Sequence, residues 1–434
     1  MQKPKTIEKI LYYIFLFLIP FQIRSAIIKG TTEWDSIFLY LTDILILAIF
    51  ILYIKRTRTF SIKENKFLVL LIFIAALSII PAQKESIALY GLIKLIEYIF
   101  IYYYTKKNIR ELTPNAIFNI LIFTGSIQAI LAIAQFIEQK SIGIKFIEAG
   151  IYSPGEPGVA TFIYQNIPIL RSYGSFPHPN ILAGFLILTI FLIYYQLQKK
   201  QSSILYIFLS LMIFALFTTF SRTAMAVFFV SSLIFLLLNL IKLRVFEHTE
   251  ARIRAGKRIM NIFLILILSS LISILILSPY LKARFFNITP EEQAVDLRFF
   301  YNKMAVNMTK DNIITGVGIG SFAVHSQNYP AYLRAAAKMQ DQEIKEIPQW
   351  LFQPVHNIYL LIASEIGIIG LIFFLLAIAR KTKDLKNNIF NPIFYILISF
   401  LIIGLMDHYF WTLQSGAIMF WLTLALTEKH EIYS

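Results

Sequence analysis

The sequence predicts an all-α fold: a polytopic transmembrane helical bundle of about twelve spans. Three observations lead there. In a chain of 434 residues, 57% are hydrophobic and only 15% are charged, with a mean hydropathy of +0.67, more apolar surface than a soluble domain could hide. Apolar runs of roughly 16–22 residues, enough to cross a bilayer core of about 30 Å, recur along its whole length. The connections between them alternate between strongly basic and nearly uncharged.

In chain order the runs fall near 9–24, 36–54, 66–81, 87–104, 116–137, 180–197, 203–220, 222–241, 260–280, 357–379, 390–406 and 408–427. The first follows a basic start in "MQKPKTIEKILYYIFLFLIPFQIRS" with no small-x-small cleavage site, so it reads as a retained span or signal anchor. The second buries Asp43, read as structural. In the fourth, Lys94 and Glu97 stand three apart on one helical face and should pair. The seventh and eighth are separated only by the break at Thr218–Arg222, which leaves one long bent run as an alternative to two helices. The tenth carries Glu365 well inside its apolar stretch. An intramembrane carboxylate is expensive and has either a packing or a chemical role; we expect scaffold.

With the N-terminus inside, the inner connections are "KRTRTFSIKENK", "TKKNIREL", "QKKQ", "KLRVFEHTEARIRAGKR" and "RKTKDLKNN". With the two termini these hold more than half of the 40 Lys and Arg residues. The outer connections "PAQKES", "TTFSR" and "MDHYF" hold almost none. The positive-inside rule then places both termini in the cytoplasm. The net charge of +15 is accordingly a topology signal, with some contact to anionic lipids, and needs no nucleic acid. Abundant Phe (39) and Tyr (23) suit aromatic belts at the two interfaces. Residues 1–434 read as one integral membrane domain with two long outer segments, 138–179 and 282–355; the second should hold an amphipathic helix in "YLRAAAKMQDQEIKEIPQW".

Cysteine is absent, which excludes disulfides, thiol catalysis and thiolate metal sites. HExxH and Walker A patterns are also missing, and "GVGIGSF" (316–322) only resembles a phosphate-binding glycine loop. No cofactor or metal is expected.

The polar residues that stand out open the even-numbered spans, whose N-termini face outward: "RSYGSFPHPNILAG" (171–184), "TTFSRTAMA" (218–226) and "QPVHNIYLL" (353–361). A helix N-terminus favours anions through its unpaired N–H groups and dipole. Arg222, just after the capping candidate Ser221, adds a guanidinium matched to phosphate oxygens. The same dipole should keep His356 neutral near pH 7, as a general base requires. Arg298, in the large outer segment, supplies a second cation. Together these suit a diphosphate leaving group beside a hydroxyl nucleophile.

At "SRTA" (221–224), Arg298, "GVGIGSF" and "HNIYLLIASEIGIIGL" (356–371), the chain resembles the O-antigen ligase / O-antigen polymerase superfamily of bacterial membrane glycosyltransferases, over roughly residues 150–400. The last motif has the pattern HNxxLxxxxExGxxGL. Tyr301 stands where a tryptophan or other aromatic is expected after the loop arginine.

The resemblance implies a GT-C-like bundle in the bacterial inner membrane with a periplasmic active site. It implies an inverting, metal-independent transfer of a glycan from undecaprenyl diphosphate to an acceptor hydroxyl, on lipid A-core, another glycan or a protein. Arg222 and Arg298 would hold the diphosphate and His356 would activate or position the hydroxyl. Ser221, Asn357, Arg171, Asn180, Gly318 and Gly320 accompany them as substrate-binding candidates. Ligase and polymerase share these motifs and both readings stand. A transporter or flippase would instead show interrupted helices and pseudo-symmetry at the midplane.

Overall fold

The apolar runs form helices because a backbone in lipid must satisfy its own hydrogen bonds. In a computed structural model, residues 3–58, 65–156, 158–245, 250–286, 294–338, 347–382 and 389–427 are described. The chain opens with α1 (Thr6–Leu18), a hairpin of β1 (Arg24–Ile28) and β2 (Ile37–Tyr40), and α2 (Leu41–Thr57). Then come α3 (Lys66–Leu77), α4 (Glu85–Asn108) and α5 (Pro114–Glu138). A second hairpin, β3 (Thr161–Tyr164) with β4 (Ile167–Leu170), precedes α6 (Pro179–Lys199), α7 (Ser203–Thr218), α8 (Arg222–Val245) and α9 (Glu250–Phe286). An outer helical layer follows: α10 (Ala294–Asp311), α11 (Phe322–His325) and α12 (Pro330–Lys338). The chain returns through α13 (Ile358–Thr382), α14 (Pro392–Ile403), α15 (Tyr409–Thr412) and α16 (Gln414–Leu426).

Among the described residues, six helices are long and apolar enough to cross a membrane: α4, α5, α6, α8, α9 and α13. The apolar helices α3, α7, α14 and α16 are shorter, at 10–17 residues. The fold is thus helical and polytopic, with two small antiparallel hairpins added, and six qualifying helices stand against the expected count of about twelve. The break at 219–221 separates two helices rather than bending one: Phe220 adopts φ +46°, a left-handed turn that reverses the chain between α7 and α8.

α6 is the central post and the most buried of these six helices, while α9 is the least buried of them. The expected loop 282–355 is largely helical. α9 continues into it as far as Phe286, and α10, α11 and α12 pack around Tyr301, Met304, Met308, Phe322 and Leu333 as a second core. Of the expected amphipathic helix, α12 covers 330–338, and residues 339–346 lie outside the described residues.

α13 is broken at Ile366 and Gly367, where Gly367 takes φ +74°. The 313–318 segment crosses the break and completes its hydrogen bonds: Val317 N–H to Ser364 O (2.9 Å), Gly318 N–H to Glu365 O (2.9 Å) and Ile368 N–H to Ile313 O (2.9 Å). The two backbones approach so closely that a Cβ at Gly316 would overlap the Glu365 main chain, and one at Gly367 that of Ile314. Gly316 and Gly318 of "GVGIGSF" and Gly367 of "EIG" therefore serve one crossing.

Candidate active site

Five segments of the chain converge on one cleft of about 340 Å³. The segment leading to α6 brings Arg171, His178 and Asn180; the α7–α8 turn brings Ser221 and Arg222; the C-terminal turn of α9 brings Arg284; α10 brings Arg298 and Tyr301; the approach to α13 brings Gln353 and His356. The expected residues Arg171, Asn180, Ser221, Arg222, Arg298 and His356 thus meet, although up to 185 positions separate them in sequence. Four guanidinium groups in one cleft make a strong anion site, and bidentate donors suit phosphate oxygens.

Arg171 is 7% exposed; its Nε donates to the Thr219 carbonyl (2.8 Å) and its Nη2 to Asn180 Oδ1 (2.7 Å). Burial, and then the charge of Arg284, pull its pKa down to about 9, so it stays a cation at neutral pH. Asn180 passes the contact on, its Nδ2 donating to Asp407 Oδ2 (2.7 Å). Asp407 lies buried beside the imidazoles of His356, His178 and His408. Burial alone would raise its pKa; the imidazoles and the Asn180 amide outweigh burial and hold the carboxyl below its usual range.

Burial lowers the His356 pKa, Asp407 opposes that shift and Arg298 adds to it, so the imidazole is neutral near pH 7. The direction is the one expected from the sequence; burial comes first among its causes. His356 Nδ1 is buried and has no hydrogen-bond partner among the described residues. His356 also borders a second chamber of about 520 Å³, which it shares with His178 and Gln353. The His178 Nδ1 accepts the Asn180 N–H (3.1 Å) and caps α6, and burial followed by the charge of Arg171 pushes its pKa down to about 3.

Three expected binding residues stand outside this cleft. Asn357 caps α13: its Oδ1 accepts the N–H groups of Tyr359 (2.9 Å) and Leu360 (3.1 Å), and its Nδ2 donates to Leu405 O (3.2 Å). Gly318 belongs to the backbone crossing at α13 and lies against Ala82, while Gly320 stands beside Ile87 and Gly91 of α4. Glu365, 1% exposed, accepts from Trp411 Nε1 (2.9 Å) and from the Phe322 N–H (3.3 Å), joining α13 to α15 and α11. Lys94 is ion-paired with both Glu97 (3.2 Å) and Asp43, and Asp43 also accepts the Tyr40 N–H (2.9 Å) at the start of α2.

Sequence reasoning missed Asp407, His178 and Arg284. Each had a signal. "MDHYF" puts an Asp-His pair in a turn otherwise without charge, and Arg284 is a basic residue at the end of an apolar run opposite to its basic loop, against the expected positive-inside pattern. His178 sits in "PHPN", read only as a helix start.

The model of the O-antigen ligase family matches residues 207–375, from α7 into α13, a stretch that contains Arg222, Arg284, Arg298 and His356. The resemblance seen in the motifs is borne out over that part of the chain. No curated protein matches the sequence.

Proposed function

From an O-antigen ligase domain that holds three of the four cleft arginines and His356, we propose a membrane glycosyltransferase that moves a glycan from undecaprenyl diphosphate to an acceptor hydroxyl. The observation that carries this reading is the gathering of Arg171, Arg222, Arg284 and Arg298 beside a neutral, half-buried imidazole. The acceptor oxygen attacks the anomeric carbon while the bond from that carbon to the diphosphate oxygen breaks. The hydroxyl proton passes to His356, and the departing lipid diphosphate keeps the bonding electrons. Charge growing on that leaving group meets guanidinium groups already in position, which costs no reorganisation during the reaction. Attack from the side opposite the diphosphate inverts the anomeric centre, and the scheme uses guanidinium groups rather than a metal ion as the charge stabiliser. Asp407 orients the cluster, acting on Arg171 through Asn180 and on His356 through its charge.

Topology supports a periplasmic site and cytoplasmic termini. α6, α8 and α13 begin at the cleft and end in basic residues, and α9 begins in a basic stretch and ends at the cleft. We keep about twelve crossings of the inner membrane as the frame for this arrangement.

The test is glycan transfer in proteoliposomes with undecaprenyl-diphosphate oligosaccharide and separate acceptors, comparing Arg222→Ala and His356→Ala. Transfer to lipid A-core or to protein, lost in both variants, is the expected result. Longer lipid-linked chains with no added acceptor would make the enzyme a polymerase. Folded protein that transfers nothing under any condition would sink the reading.

A further inference from the structure

The second chamber differs from the cationic cleft in its chemistry. Among the described residues its lining holds no lysine or arginine. Its walls carry Trp34, Trp350, Gln349 and Gln353, and it meets the cleft at His356 and His178. Its acidic residues are already engaged: Glu33 is ion-paired with Arg24 (3.1 Å), and Asp407 accepts from Asn180. A chamber with indoles, amides and balanced charge suits an uncharged ligand rich in hydroxyl groups and repels neither face of a sugar ring. Indoles are large, rigid platforms with an apolar face, and amides and hydroxyls can meet a sugar's donors and acceptors.

Trp34 is held in place by its turn. Asp35, buried, accepts the N–H (3.1 Å) and hydroxyl (3.1 Å) of Thr31 and the N–H (2.6 Å) and hydroxyl (2.9 Å) of Thr32. It is also ion-paired with Lys84 (2.9 Å). The Trp34 ring lies edge-on to His408 (centroids 5.4 Å apart), and His408 edge-on to His356 (4.9 Å). The β1–β2 turn thus carries an aromatic platform to one ring's distance from the candidate base, and a buried carboxylate that no catalytic step uses keeps it rigid.

We propose that this chamber is the acceptor subsite, and that it takes an uncharged sugar residue stacked on Trp34 with a hydroxyl turned toward His356. The proposal rests on the transfer reading above and narrows it: the acceptor end is a neutral sugar rather than a phosphorylated or uronic-acid one. That sugar can come from a separate saccharide acceptor or from the terminal residue of a second lipid-linked glycan.

The test uses full-length protein in nanodiscs, without donor, on an array of neutral, phosphorylated and uronic-acid glycans. Neutral glycans should bind, Trp34→Ala should weaken that binding by at least about tenfold, and Trp34→Phe should retain most of it. A preference for acidic glycans, no binding, or binding unchanged in Trp34→Ala would overturn the proposal. In the transfer assay Trp34→Ala should raise the acceptor KM by about tenfold, with kcat and the donor KM within about twofold of wild type. Arms with and without an added saccharide separate the two sources of the sugar. Wild-type protein that binds neutral glycans through Trp34 but transfers nothing would refute the transfer reading and leave the subsite standing. Normal transfer with an acceptor KM indifferent to Trp34 would do the reverse.

Discussion

Arg56 and Arg171 are nearly equally buried, at 8% and 7% exposure, yet their hydrogen-bond partners are of opposite kinds. Arg56, near the C-terminal end of α2, donates through Nε (3.1 Å) and Nη2 (2.8 Å) to both carboxylate oxygens of Glu8 in α1, and Nη2 also reaches Asn108 at the end of α4 (3.0 Å). Arg171, at the other end of the bundle, gives its bonds to a carbonyl and an amide oxygen, both uncharged. A buried cation matched by a carboxylate joins helices; a buried cation whose hydrogen-bond acceptors are neutral retains its attraction for an anion from outside. The Lys94–Asp43–Glu97 cluster belongs to the first kind. Arg171 belongs to the second, and it shares its cleft with Arg222, Arg284 and Arg298.

The contrast can be broken at either end. The largest effect is expected at the matched pair: Glu8→Ala strands the Arg56 charge and should cost about 3–5 kcal/mol of stability, read as thermal denaturation in nanodiscs, while transfer per folded molecule is unchanged. Replacing both Glu8 and Arg56 by Met should recover most of that loss; if it does not, the pair has a role beyond joining helices. Next, Arg222→Ala and Arg298→Ala should each lower kcat by about 10²–10³-fold with little change in accumulation, the size expected when one donor to a developing oxyanion is removed. Loss of insertion instead would move these arginines into the scaffold class. Asp407→Asn keeps the shape of the site and removes its charge, and should cost roughly tenfold in kcat. Because Asp407 favours the protonated imidazole, the same variant should move the acidic limb of the rate profile further down in pH. The smallest effect concerns pH in the wild type. The His356 pKa is depressed from its ordinary value of about 6.5, so activity should persist through that value and fall only at lower pH. Stability has the same sign: the folded protein resists protonating His356 and His178, so stability is full above about 6.5 and is lost as pH falls below it.

The sequence made the helical membrane class legible, because long apolar runs and basic alternate loops are local properties. It also brought Arg171, Arg222 and His356 into view as polar residues at the mouths of apolar runs, while Arg298, in a polar segment, was singled out as a second cation and by the family resemblance. The partnership of Asp407 with Asn180 was not legible: 227 positions separate them, and only the packing of α14 and α16 against α6 brings them together. Gly318 and Gly320 look in sequence like a ligand loop, yet Gly318 serves a crossing with a helix break that hydropathy cannot register and Gly320 stands against α4. Asn357 was read beside His356 as a binding group, whereas it holds the first turn of α13.

α9 runs 37 residues without interruption, roughly 55 Å at 1.5 Å per residue, well beyond a hydrocarbon core of about 30 Å. It therefore acts as a ruler with a phase. Its length sets how far Arg284 stands from the basic end of the helix, and its winding sets the compass direction in which that guanidinium points. One residue inserted in the stretch 264–276, where exposed apolar side chains alternate with the buried Leu266, Ser269, Ser270 and Ser273, would leave hydropathy almost unchanged, yet it would turn Arg284 by about 100° and lift it by about 1.5 Å. The tolerance of this exposed apolar surface to substitution thus coexists with strict intolerance to any change in its count of residues.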